Sequence, residues 1–127
     1  MNTDMKVFLY LMPLLFFTGC LTGSEGINAL FGYRYRVVQT DQFPVISSDS
    51  MIVNLQYEGC NKNQEFTLQY REKSPDHLEI WLFKNTPDQF CELVLREVRS
   101  FKLPPDAFSA SEVYLLGPKG VRILMRK

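Results

Sequence analysis

A small antiparallel β-sandwich of about seven strands is what the sequence predicts for residues 33–127, and three observations predict it. Apolar and polar side chains alternate with a period of two in short runs, as they do along strands that bury one face. The runs are separated by turn chemistry, including three Pro-Asp pairs at Pro75-Asp76, Pro87-Asp88 and Pro105-Asp106, in which proline presets φ and aspartate bonds the local backbone. Helical periodicity is almost absent. Short strands with turns every several residues favour a sandwich, with a small barrel as the alternative. At 127 residues, 46% hydrophobic and 22% charged, the chain has the length for one domain and the apolar content for a core.

The first strand is read over Tyr33–Gln39, where Tyr33, Tyr35 and Val37 alternate with Arg34 and Arg36. Before it, Ile27–Phe31 has room for one helical turn. Residues 41–49 read as a polar loop around Pro44. The clearest strand follows, with Met51, Val53, Leu55 and Tyr57 on one face and Asn54, Gln56 and Glu58 on the other. Residues 59–64 form a turn, and Phe66, Leu68 and Tyr70 then alternate with Thr67, Gln69 and Arg71, so the two runs predict an antiparallel hairpin with Cys60 at its tip. Leu78–Lys84 is apolar on both faces, as expected of a central strand. Cys91, Leu93 and Leu95 open a further strand whose apolar parity slips at Val98, which predicts a bulge near Glu97. Val113–Leu116, the turn Gly117-Pro118-Lys119-Gly120, and Val121, Ile123 and Met125 make a last hairpin.

The start of the chain has the layout of a cleaved signal. Lys6 precedes Val7–Phe17, eleven residues with no charge or amide side chain. As a helix this run rises only about 16 Å, roughly half the hydrocarbon core of a bilayer, and Pro13 weakens it further as a membrane span. Asp4 is out of place in a region that should be positive; a start at Met5 would leave Met-Lys directly before the apolar run. The run ends in Phe17-Thr18-Gly19-Cys20, which resembles the lipobox of bacterial lipoproteins: an apolar residue, two small residues, then cysteine. Phe17 stands where leucine is more usual. The resemblance covers only the leader. It implies a diacylglyceryl group on the Cys20 thiol and cleavage before that residue, so that 1–19 is a signal peptide, 20–32 a lipid-anchored tether and 33–127 the β-domain. It implies membrane attachment through the lipid, which is stable once two or three acyl chains are present. Leu21, rather than aspartate, after the lipidated cysteine implies sorting to the outer membrane with the domain in the periplasm. In a one-membrane bacterium the domain would face outward from the plasma membrane. An ordinary secretory signal cleaved near Gly19 is the alternative.

Three cysteines in an exported chain leave one odd thiol if all are structural. Lipid on Cys20 removes the oddity and leaves Cys60 and Cys91, for which an oxidising compartment favours a disulfide. With no CxxC spacing and His77 as the single histidine, a metal or redox pair has a poor signature, and no metal or other cofactor is expected. Trp81 between the two cysteines echoes the immunoglobulin hallmark, but the separation is short and Cys60 lies in a turn.

Candidate chemistry is sparse. Fourteen basic residues balance fourteen acidic ones, which gives no footprint for nucleic acid. His77 follows a turn, Ser47, Ser48 and Ser50 sit in a loop without a nucleophile motif, and the carboxylate pairs Glu72/Asp76 and Glu92/Glu97 read as solvated faces. No enzyme is expected. Two binding features stand out. One is an arginine set, Arg34, Arg36, Arg96, Arg99, Arg122 and Arg126, of which Arg34, Arg36, Arg122 and Arg126 make the candidate binding face if their strands are neighbours. The other is an aromatic excess, with Trp81, Phe83, Tyr33 and Tyr35 outward if the opposite faces form the core. The reading is a non-enzymatic membrane-anchored domain that binds an envelope protein, glycan or other envelope component. Its rivals are a small hydrolase or ligand carrier with a pocket between the sheets, including His77, and a purely structural envelope protein.

Overall fold

The computed structural model describes residues 28–126, and Cys20 with the expected signal peptide lies outside them. The domain is an all-β sandwich of two four-stranded sheets. The longest alternating run forms β3 (Ser50–Glu58), which turns Met51, Val53, Leu55 and Tyr57 into the core. One edge of β3 pairs along its whole length with β6 (Val94–Lys102), antiparallel from Ser50↔Lys102 to Glu58↔Val94. Its other edge is shared end to end by β1 (Arg36–Val38) and β2 (Val45–Ser47). The second sheet has the order β4 (Phe66–Ser74), β5 (His77–Lys84), β7 (Glu112–Gly117), β8 (Val121–Arg126). Ile80, Leu82, Val113 and Leu115 of its central strands meet the β3 side chains in one core cluster.

Several local expectations are corrected. Eight strands form rather than about seven, because Val45–Ser47, placed in a loop by its polar neighbours, completes the edge of β3. Strands β3 and β4 are not a hairpin: each has one strongly apolar face, and they put those faces together across the core in different sheets. The sandwich is not purely antiparallel, since β5 and β7 pair in parallel from His77↔Glu112 to Trp81↔Leu116. Strand β6 carries the chain back through the other sheet between them, and two reversals restore the direction. No bulge interrupts β6 at Glu97; irregularities fall instead between Glu72 and Ser74 and between Val113 and Tyr114. The parity slip has a different cause: β6 turns Glu97 and Arg99 inward with Leu95 and Phe101, and leaves Val94 and Val98 outside. The third Pro-Asp pair opens a short helix, α1 (Asp106–Ser109), rather than a plain turn.

The described residues begin beside the far end of β5. In place of a helical turn, Asn28 and Gly32 exchange backbone hydrogen bonds of 2.7 and 2.8 Å, while the Asn28 side chain accepts from the amides of Leu30 and Phe31. Residues 28–32, expected in the tether, are thus part of the folded unit. Gly32 then bridges to Lys84 in parallel. It has φ +75°, and a Cβ there would stand 2.4 Å from the Lys84 carbonyl oxygen, so both conformation and space call for glycine.

Candidate functional site

A cavity of about 710 Å³ opens at this end of the sandwich. Its walls come from the first segment, the end of β3, the crossing between β5 and β6, and the β7–β8 turn. Phe31, Tyr33, Tyr35, Tyr57 and Phe90 contribute rings; Arg34, Arg36 and Lys119 contribute positive charge and Glu58, Asp88 and Glu92 negative charge. Alternation on the first segment sends Tyr35 into the core, where its hydroxyl donates to the Leu82 carbonyl at 2.6 Å and its ring packs edge-on against Phe66. Burial pushes the Tyr35 hydroxyl well above the usual tyrosine range.

Behind the wall lies Lys84, fully buried at 0% exposure. Its ammonium donates to the Thr86 carbonyl at 2.8 Å, stands 3.7 Å from Asp88 Oδ1, and lies over the rings of Tyr33 and Tyr57 at 5.9 and 5.8 Å. Desolvation holds the ammonium below its ordinary pKa, Asp88 opposes that shift, and the nearby Arg34 adds to it. Asp88 is in turn held by Arg34, whose backbone amide donates to Oδ1 at 3.2 Å and whose Nε donates to Oδ2 at 3.1 Å. One carboxylate therefore joins an exposed arginine on the rim to a buried lysine behind it.

The rim is also covalently pinned. Cys60 and Cys91 form the expected disulfide, with Cα atoms 5.1 Å apart, and it ties together the two crossings between sheets, β3 to β4 and β5 to β6. Gln89 reinforces the tie by accepting from the Cys60 amide at 2.7 Å and from Gln64 Nε2 at 2.9 Å. Beside the bridge, Phe90 is 99% exposed and is followed by exposed Leu93 and Val94. The disulfide restrains the backbone that carries this ring, so contact has mainly the side chain left to order, and the exposed apolar surface is suited to binding.

The structure does not assemble the four-arginine face. Arg34 and Arg36 line the cavity. Arg122 lies on the outer face of the second sheet, over the Tyr114 ring at 3.9 Å and 3.8 Å from Glu79. Arg126 donates to the Ala107 and Ala110 carbonyls and fastens α1 to β8. Arg96 is bound to Gln56, and Arg99 donates to the Gln64 carbonyl. Nor are the four aromatics an outward set: Tyr35 belongs to the core, and Trp81 is buried beneath the Arg71 guanidinium. The residues that the sequence reading missed are Lys84, Asp88, Phe90 and Lys119. An aromatic side chain adjoining a half-cystine was the available signal for Phe90; a lysine ending a doubly apolar strand was the one for Lys84.

His77 lines neither this cavity nor a second, shallower one beside Leu68, Tyr70 and Phe108. It joins a hydrogen-bonded line, Ser74 Oγ to Nδ1 at 2.9 Å and Nε2 to Glu112 Oε1 at 2.6 Å, with the Tyr114 hydroxyl donating to Glu112 Oε2. Its register partner across the parallel pair is Glu112, so the line fastens the β4–β5 turn to the start of β7. Among the described residues no group of three or more potential metal ligands occurs. The chain matches no protein-family model, no curated protein and no solved structure.

Proposed function

We propose that this chain is a membrane-anchored lipoprotein, held by lipid on Cys20, whose β-sandwich binds an envelope component next to the membrane without transforming it. The observation that carries the reading is the cavity at the end where the described residues begin. Asn28, on its wall, is eight residues from Cys20, a span of at most about 29 Å. A cavity at that end works close to the bilayer that holds the lipid. Rings, amides and charges of both signs suit a segment of polypeptide, which presents the same mixture, better than a uniformly anionic ligand. The favoured location is the inner face of an outer membrane, with the domain in the periplasm.

The test is a photo-crosslinking phenylalanine analogue at position 90 of the full chain, irradiated in the cells that make it. The expected result is a discrete adduct with one envelope protein, lost on Arg34→Glu. No adduct, or one indifferent to Arg34→Glu, refutes the binding role. For the anchor, Cys20→Ser should abolish both lipid labelling and membrane fractionation while the domain still folds. Continued membrane association refutes the lipoprotein reading.

A further inference from the structure

We propose that β6 is the interface for a second copy of this chain, two β6 strands pairing antiparallel about a two-fold axis at Val98. Among the described residues β6 pairs with β3 alone, so one edge of a nine-residue strand presents unpaired backbone groups. Such an edge is a template for strand addition. Its outer face carries Val98, 50% exposed, and Val94.

What selects a second copy is the register. Two antiparallel strands related by a two-fold axis perpendicular to the sheet keep their faces, so the axis must pass through a residue and not between two. Centred on Glu97, the pairing sets Glu97 against Glu97 of the other copy. Centred on Arg99 it opposes two arginines, and centred on Arg96 it does so again. Like charges directly opposite are destabilising. Centred on Val98, all nine residues pair. Glu97 then faces Arg99 twice, Leu95 faces Phe101 twice on the same inner face, and Val98 meets Val98 outside with Arg96 opposite Ser100. The middle residue of the strand gives at once the longest overlap and the complementary charges. Glu97 has room for the added arginine: its contacts with the Tyr57 hydroxyl at 2.7 Å and with Arg99 of its own chain at 3.4 Å both fall on Oε1.

Directly opposed residues of an antiparallel pair have Cα atoms about 4.5–5.5 Å apart, within the Cα separation that a disulfide spans. The experiment is oxidation of full-length Val98→Cys in the cells that make it, with peptide mapping of the bonds formed. A Val98–Val98 position crosslink is expected. Arg96→Cys and Ser100→Cys should each stay uncrosslinked alone and crosslink when differently tagged copies are made together. Adding Val98→Lys to that pair sets two ammoniums face to face and should abolish the crosslink, with the far-UV dichroism spectrum showing that the fold is kept. Tyr70→Cys, on the free edge strand β4, is the control for random collision. The proposal is overturned if Val98→Cys crosslinks no better than Tyr70→Cys, if it captures a different protein instead, or if Val98→Lys leaves the Arg96–Ser100 bond intact.

Discussion

Replacing Cys60 and Cys91 together by serine isolates what the cross-link contributes, because little else changes. Both half-cystines are exposed, so serine leaves no cavity. The two crossings also remain held in the folded state by the Gly59 amide on the Leu93 carbonyl and the Cys60 amide on Gln89. The loss therefore falls on the unfolded chain, which regains the freedom of a loop closed across 31 residues. The chain-entropy relation puts that at about 3.7 kcal/mol. A domain of this size has about 5–15 kcal/mol in all, and the corresponding drop in melting temperature is about 15–30 °C. Urea unfolding of the double variant beside the oxidised parent measures the difference. The slope should also steepen, because an unlinked denatured chain exposes more surface. A loss below about 1 kcal/mol, with the slope unchanged, would refute the argument that the bond acts on the unfolded state.

Gly32→Ala should destabilise by about 2–4 kcal/mol, from positive φ and the close approach to the Lys84 carbonyl together; equal denaturation midpoints would contradict the geometry. Asp88→Ala leaves the buried Lys84 ammonium without its carboxylate and should cost on the order of 3 kcal/mol, whereas Lys84→Met should be neutral within about 1 kcal/mol or stabilising. The reverse order in chemical denaturation would show that the lysine contributes net stability. Alkaline pH should act in two directions. Lys84 carries its burial cost while charged; above its lowered pKa the unfolded chain binds the proton that the folded chain has lost, so stability rises towards the ordinary lysine value of 10.5. Tyr35 keeps its proton when folded, so above the ordinary tyrosine value of 10.0 the unfolded chain loses one that the folded chain holds, and stability falls. Denaturation across this range should show Lys84→Met flattening the rise and Tyr35→Phe softening the fall.

The strands that the sequence announces most clearly are β3 and the β7–β8 hairpin, whose burial is decided by one face, and β5, whose run is apolar on both faces. Alternation is a local property, and a strand with one dry face displays it whatever its neighbours are. Pairing partners are not local. The β3 and β4 patterns fit a hairpin or two facing sheets equally well, and only the core decides, so the hairpin expectation failed while both strands stood. Strand β2 escaped because three residues are too few for a period to register. At Glu97 the slip was real, but its cause was an inward carboxylate satisfied by the Tyr57 hydroxyl, a partner forty residues away. Cys60 and Cys91 were legible because two thiols with no CxxC spacing and no histidine cluster beside them have few roles other than pairing with each other. The arginines were not, because a basic residue on a strand reads the same whether it meets solvent, a carbonyl or a buried acid.

Those arginines divide according to what lies beneath them. On the outer face of the second sheet Glu79 is 3% exposed and collects Arg71 at 2.8 Å and Lys73 and Arg122 at 3.8 Å. Arg71 and Arg122 also lie on the Trp81 and Tyr114 rings. Their aliphatic stems cover the face while their charges converge on one acid, so a partner docking there would have to displace contacts already made. The opposite holds at the end where the described residues begin. Arg34 holds Asp88 with its amide and Nε and still leaves 79% of its side chain exposed. Arg36 stands on the same wall, and Phe90 has no covering at all. Surface already satisfied by its own side chains loses on binding part of what it gains, whereas the uncovered Phe90 ring and the half-engaged arginine have little to give up. That difference, rather than the number of basic residues, is why the binding role is proposed for the cavity and not for the face of Arg122.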